Sequence, residues 1–115
     1  MRVKIYYSGK KSELDVKKTG FFSKGIGLMF KTKNTNNLVF EFNEDVSISI
    51  HSFFVFFPFL AVWLDSKNNV LECRIVKPFC FYAKPKLEFR KLIEIPLNLR
   101  NEKIIKFFTK KDRLL

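Results

Sequence analysis

His51 is the only histidine in this 115-residue chain, and Cys73 and Cys80 are its only cysteines. A lone imidazole works as a general acid or base only beside a positioned partner and substrate. With Ser49 and Ser52 as neighbours, His51 reads first as a hydrogen-bonding residue at the rim of a sheet. The C-x6-C spacing with one distant histidine is a poor zinc set and implies two reduced or semi-buried thiols. Glu44-Asp45 and Asp65 mark turns, while Glu41 and Glu72 fall on the outward sides of their strands, so no spacing asks for two facing carboxylates. The chain has no G-x-S-x-G, H-E-x-x-H or phosphate-cradling loop, and Gly25-x-Gly27 alone binds nothing. No catalytic residue, metal or cofactor is therefore assigned. Enzymatic activity stays an open question, with a hydrolase as the third-ranked alternative.

The stretch K-P-F-C-F-Y-A-K-P-K-L-E-F-R-K at 77–91 mixes basic and aromatic residues around an irregular loop bounded by Pro78 and Pro85. Exposed rings among cations can stack on bases and track phosphates. The favoured reading is that Phe79 and Phe81 cap the mouth of the core, because buried aromatics dominate small cores. Neither the octapeptide of RNA-recognition sheets nor a helix-turn-helix pattern is present. Lys31, His51, Lys77 and Tyr82 are polar exceptions beside these loops, and they form the candidate ligand-binding set.

Short strands must position these residues. Val3, Ile5 and Tyr7 alternate with Arg2, Lys4 and Tyr6, which predicts a half-buried strand, a turn at 8–11 and a second short strand over 13–17. A short helix ending near Gly27 is expected between Thr19 and Phe30, since interior glycines make a longer one costly. Leu38–Phe42 gives a strand, Asn43-Glu44-Asp45 a turn, and Val46–Ile50 another strand. Alternation then fails through H-S-F-F-V-F-F-P-F-L-A-V-W-L-D at 51–65, the most apolar stretch, which implies packing on both sides. S-K-N-N at 66–69 joins Leu60–Asp65 to Val70–Lys77 as a hairpin, with Leu71, Cys73 and Ile75 facing in and Glu72 and Arg74 out. Leu87, Phe89, Ile93 and Ile95 form a further strand closed by Pro96. A short helix over Ile104, Ile105 and Phe108 and a strand fragment at Asp112–Leu115 end the chain. The expected fold is mainly β (β-rich α+β): one domain over residues 1–115, a small closed or strongly curled β-barrel-like sheet with one or two short helices.

With 47% hydrophobic and 29% charged residues, the chain is too apolar to be disordered. The apolar run at 53–64 contains Pro58 and is shorter than the ~18 residues a membrane helix needs, so no membrane contact is expected. The N-terminus alternates instead of forming an apolar block, and the expected location is the cytoplasm. Net charge is +11, carried as +7 over residues 1–37, −4 over 38–72 and +8 over 73–115. Basic ends attract nucleic acid, anionic lipid or acidic proteins at long range. A compositional bias toward Lys, Asn, Phe and Ile explains the charge equally well.

Gly27-Leu28-Met29-Phe30-Lys31, L-V-F-E-F at 38–42 and I-H-S-F-F-V at 50–55 occur in order. Pro58, W-L-D at 63–65, Val70, Lys77-Pro78-Phe79 and L-I-E-I-P at 92–96 follow, with an echo in Lys111-Asp112-Arg113-Leu114. Together these segments resemble the domain-of-unknown-function family 192 over roughly residues 13–115. The resemblance implies a compact β-rich fold and brings no established reaction. That family usually has a basic residue where Phe56 stands and an acid where Leu60 stands; both are apolar here, and any activity needing such a pair is placed in doubt. The leading expectation is a non-catalytic module that binds a small ligand or protein partner at the loop-rich mouth of the sheet. The alternative is non-specific nucleic-acid binding through the basic N- and C-terminal regions.

Overall fold

The computed structural model describes residues 1–19, 28, 31–52, 55–80 and 82–113, with backbone alone over 110–113. Val3 and Ile5 are buried and their neighbours exposed along β1 (Arg2–Tyr7), as alternation requires. Ser8 and Gly9 both take positive φ, 53° and 76°, and this tight turn returns the chain into β2 (Lys10–Asp15), antiparallel with Tyr7 opposite Lys10. β3 (Lys17–Lys18) leaves the hairpin and pairs in parallel with the start of β4 (Leu38–Val46). β5 (Phe59–Leu64), β6 (Val70–Val76) and β7 (Phe89–Pro96) complete a five-stranded sheet in the order β3-β4-β7-β5-β6. A single 3-10 turn at Leu99–Asn101 then opens helix α1 (Glu102–Arg113).

Every residue of β5 is buried, because both faces of the sheet are covered there. Trp63, Ala61 and Phe59 join Leu92, Phe89, Phe40, Ile50, Val55 and Ala83 in one core layer. Leu60, Val62 and Leu64 belong to the other layer, with Ile93, Ile95, Val39, the inner residues of the β1–β2 hairpin, and Ile104 and Phe108 of α1. Tyr7 closes this second layer, its ring 5.3 Å from that of Phe108. A strand covered on both faces reads as a continuous apolar run, which is why alternation stops in this part of the sequence.

The sheet is open, neither closed nor strongly curled, so the barrel-like expectation is corrected. Exposed edges are blunted by other means. β3 is two lysines long, and β6 pairs with β5 through a register shift at Trp63/Leu64 and carries an Arg74–Glu72 ion pair. Asn43-Glu44-Asp45 does not end a strand. β4 runs through it with a register shift between Glu41 and Val46 because Phe89 recaptures Val46, and Arg90 Nε donates to Asp45 Oδ1 at 3.1 Å. Ile48 and Ile50 keep the expected alternation with exposed Ser47 and Ser49, yet only Ile50 makes a bridge. Ile75 is exposed at the sheet edge, and Leu87 is exposed before β7. The expected strand fragment at Asp112–Leu115 is instead helical through Arg113, since Ile104 and Phe108, one turn apart, seat α1 on the sheet. The helix expected between Thr19 and Phe30 lies almost wholly outside the described residues, as do Phe53, Phe54, Phe81 and the last two leucines. Among the described residues no helix is long and apolar enough to cross a membrane.

The hairpin turn at 65–69 also anchors β1. Asp65 Oδ1 accepts from the backbone N–H groups of Lys67 and Asn69, both at 2.9 Å, and Asn68 takes φ 68°. Asn68 then donates to Lys4 O at 2.9 Å and accepts from Lys91 Nζ at 2.7 Å. Leu60→Ala, which opens space at the centre of the second layer, should lower the unfolding free energy by about 2–5 kcal/mol in urea titrations. A change below about 1 kcal/mol would show that this layer is loosely packed.

Candidate functional site

Ile50 and Ala83 form an isolated antiparallel bridge, with N–H···O distances of 2.8 and 2.9 Å in the two directions. Both side chains enter the core. His51 and Tyr82, the next residues in the same register, therefore sit across from one another on the outward side, and both are exposed. Ser52, fully buried, fastens the facing loop. Its Oγ donates to Lys77 O at 2.6 Å and accepts from Cys80 N at 2.5 Å. Its backbone N donates to Cys80 O at 2.8 Å, and its carbonyl accepts from Phe79 N at 2.9 Å and Val55 N at 3.1 Å.

This knot holds Phe79 at φ 59°, in the left-handed region that bulky residues avoid at a cost of about 1–3 kcal/mol. The ring is not tucked into the core. Phe79 is 45% exposed and Phe56 60%, and the two meet edge-to-face with centroids 5.3 Å apart. Tyr82, 64% exposed, and exposed His51 and Lys77 belong to the same two facing segments. The capping role expected of Phe79 is therefore corrected; Phe81 lies outside the described residues. Of the four candidate residues, the structure brings His51 and Tyr82 together and places Lys77 at the Ser52 knot. Lys31 stands apart, its N–H donating to Leu28 O at 3.2 Å, and none of the described contacts joins it to the other three.

Sequence reasoning missed Ser52, Phe56 and Glu94. Glu94 is 5% exposed, on the first core layer between Leu38 and Ala61 of the flanking strands. Desolvation by burial pushes its carboxyl up to about 8, so it is neutral at mildly acidic pH. The signal was in the residues around it, because L-I-E-I-P is apolar on both sides of the strand and leaves the intervening acid no solvent face. Trp63, on the same face, makes no hydrogen bond through Nε1 and lies under the Arg74 guanidinium, 5.5 Å from ring centroid to Cζ. Asp65 and Glu72 differ from Glu94. Partial burial would raise both carboxyls, but hydrogen bonds from Asn69 and Lys67 to Asp65, and from Lys86 N and Arg74 to Glu72, outweigh it and hold both low. Cys73 and Cys80 are not joined in a disulfide and pack against opposite core layers. Among the described residues no three metal-ligating side chains gather.

The architecture is shared with solved proteins. A putative transcription regulator from Sinorhizobium meliloti superposes with a TM-score of 0.74 at 15% identity, over 90% of this chain and 84% of that one. A protein of unknown function from Novosphingobium aromaticivorans gives 0.72 at 12% identity, over 89% and 76%. These likenesses define the fold: an open β-sheet protein with a hairpin and a helix on one face. No family model matches the chain. By sequence it belongs to the UPF0127 family, being 35% identical over 82 residues to the UPF0127 protein of Pyrococcus horikoshii, 70% of the length of each.

The raised carboxyl makes stability fall with pH. Above its ordinary value of 4.5 the unfolded chain releases the Glu94 proton while the folded chain keeps it until about pH 8. Stability should therefore decline across that window, by at most about 1.4 kcal/mol per pH unit from this group. Asp65 and Glu72 act in the opposite sense and only at lower pH, where the stability they supply is lost as pH falls through their depressed values. Glu94→Gln should flatten the decline between pH 5 and 8 in urea unfolding; a slope matching the parent would refute the assignment. Ser52→Ala, which strands Cys80 N, should cost about 1–3 kcal/mol by the same measurement.

Proposed function

We propose that this chain is a non-catalytic binding module whose contact surface is the aromatic loop face: Phe56 and Phe79 as anchors, with His51, Lys77 and Tyr82 at their rim and without Lys31. The partner is a small ligand or a protein segment that offers a flat apolar group beside an acidic one. One observation carries this reading. A fully buried serine holds a phenylalanine in a strained backbone conformation while the ring stays in water against a second exposed ring. Strain and unburied aromatic surface both reduce stability, and such costs concentrate where a protein makes contacts. The resemblance to the domain-of-unknown-function family 192 belongs to this reading, since residues 50–52 and 77–79 of its segments contribute to the bridge and the knot. The Sinorhizobium regulator lends the nucleic-acid alternative no more than a common fold.

The test is a panel of aromatic carboxylates titrated into the full chain and followed by amide shift changes. Shifts should cluster at 50–52, 56 and 77–83. Phe79→Gly should abolish them while leaving stability within about 1 kcal/mol of the parent or above it, because glycine accepts a positive φ without strain. Shifts centred elsewhere, or binding that survives Phe79→Gly, would overturn the proposal.

A further inference from the structure

A cleft lies on the opposite side of the sheet from the aromatic loop face. The open end of the β1–β2 hairpin, β3, the residues leading into β4 and the start of α1 enclose a cleft of about 970 Å³. Its charges are arranged unevenly. Arg2 meets the two acids of the wall, Glu13 and Asp15, at 3.4 Å each, and Lys18 reaches Glu41 at 3.0 Å. Lys17, Arg100 and Lys103 also line the cleft, and among the described residues no ion pair engages any of them. Three cations drawn from both basic ends of the chain thus line one hollow with no ion-pair partner among the described residues, and with only Glu13 and Asp15 as acids the hollow is net positive, a self-repulsion that an anion relieves.

The cleft is also rigid. The Arg100 guanidinium is fixed by donating to the carbonyls of Asn34 and Thr35. Beneath it the buried amides of Asn37 and Asn101 exchange hydrogen bonds at 3.1 and 2.9 Å, and their remaining N–H groups reach Asp15 O and Pro96 O. With its own polar groups satisfied, this floor asks nothing of a ligand. Leu14, Ile104 and Phe107 add apolar lining to the same hollow. Cations, with Arg100 held in place, beside an apolar lining match a ligand with an anionic head and an apolar or planar body. The volume is that of a small-molecule site.

We propose that the cleft binds an organic phosphate, with its phosphoryl oxygens on Lys17, Arg100 and Lys103 and its body along Leu14, Ile104 and Phe107. Calorimetry of the full chain at low ionic strength tests this with four probes: ATP, adenosine, inorganic pyrophosphate and a single-stranded oligonucleotide. ATP should bind at least about tenfold more tightly than adenosine or pyrophosphate, because each of these lacks one half of the complementarity. The Lys17→Ala/Lys103→Ala double variant should lose at least about tenfold in ATP affinity at an unchanged melting temperature, both side chains being exposed. Pyrophosphate or adenosine matching ATP, an unaffected double variant, or no ATP binding at all would overturn the assignment. An oligonucleotide binding more tightly than ATP, with a steep loss in salt, would overturn it in favour of nucleic acid.

Discussion

Strand β5 has no face to give to water. Six consecutive side chains from Phe59 to Leu64 are buried, so both sides of the central sheet need a cover, and the remaining chain supplies two different ones. The β1–β2 hairpin and α1 cover one side with regular structure, Tyr7 closing on Phe108. Loops around Ile50, Val55 and Ala83 cover the other. That asymmetry sets where contacts can be built. The regular side leaves a cleft where elements end, and the irregular side leaves loops whose polar backbone must be satisfied one group at a time.

The irregular cover depends on Ser52. Loop backbone that packs on a core has no ladder to join, and an unpaired buried N–H or C=O costs about as much as a lost hydrogen bond. Ser52 meets that demand with its hydroxyl, N–H and carbonyl together, tying 77–80 to the strand-like segment before it. The consequence is Phe79 in a left-handed conformation with its ring turned outward. Asn37 and Asn101 do comparable work on the regular side, where a reciprocal amide pair joins the entry to β4 to the turn before α1. Trp63 Nε1 departs from this pattern of satisfied polar groups, and Glu94 stays buried between Leu38 and Ala61 because its carboxyl is neutral there.

Local pattern alone determined a good deal. Alternation at Arg2–Tyr7 and the failure of alternation before Asp65 both followed from side-chain period, and the turns at Ser8-Gly9 and at 66–69 followed from residue type. The i, i+4 spacing of Ile104 and Phe108 placed the helix. His51 and Tyr82 were separately suspect as polar residues beside apolar segments. Only the tertiary structure made them neighbours, through a bridge between residues 50 and 83. Whether the sheet closed, whether Asn43–Asp45 turned the chain, whether Glu94 met solvent and whether Phe79 pointed inward were likewise decided by pairings between distant segments. Each of those depends on which strand or loop lies against a residue, and a side chain's own period and propensity carry no information about that neighbour.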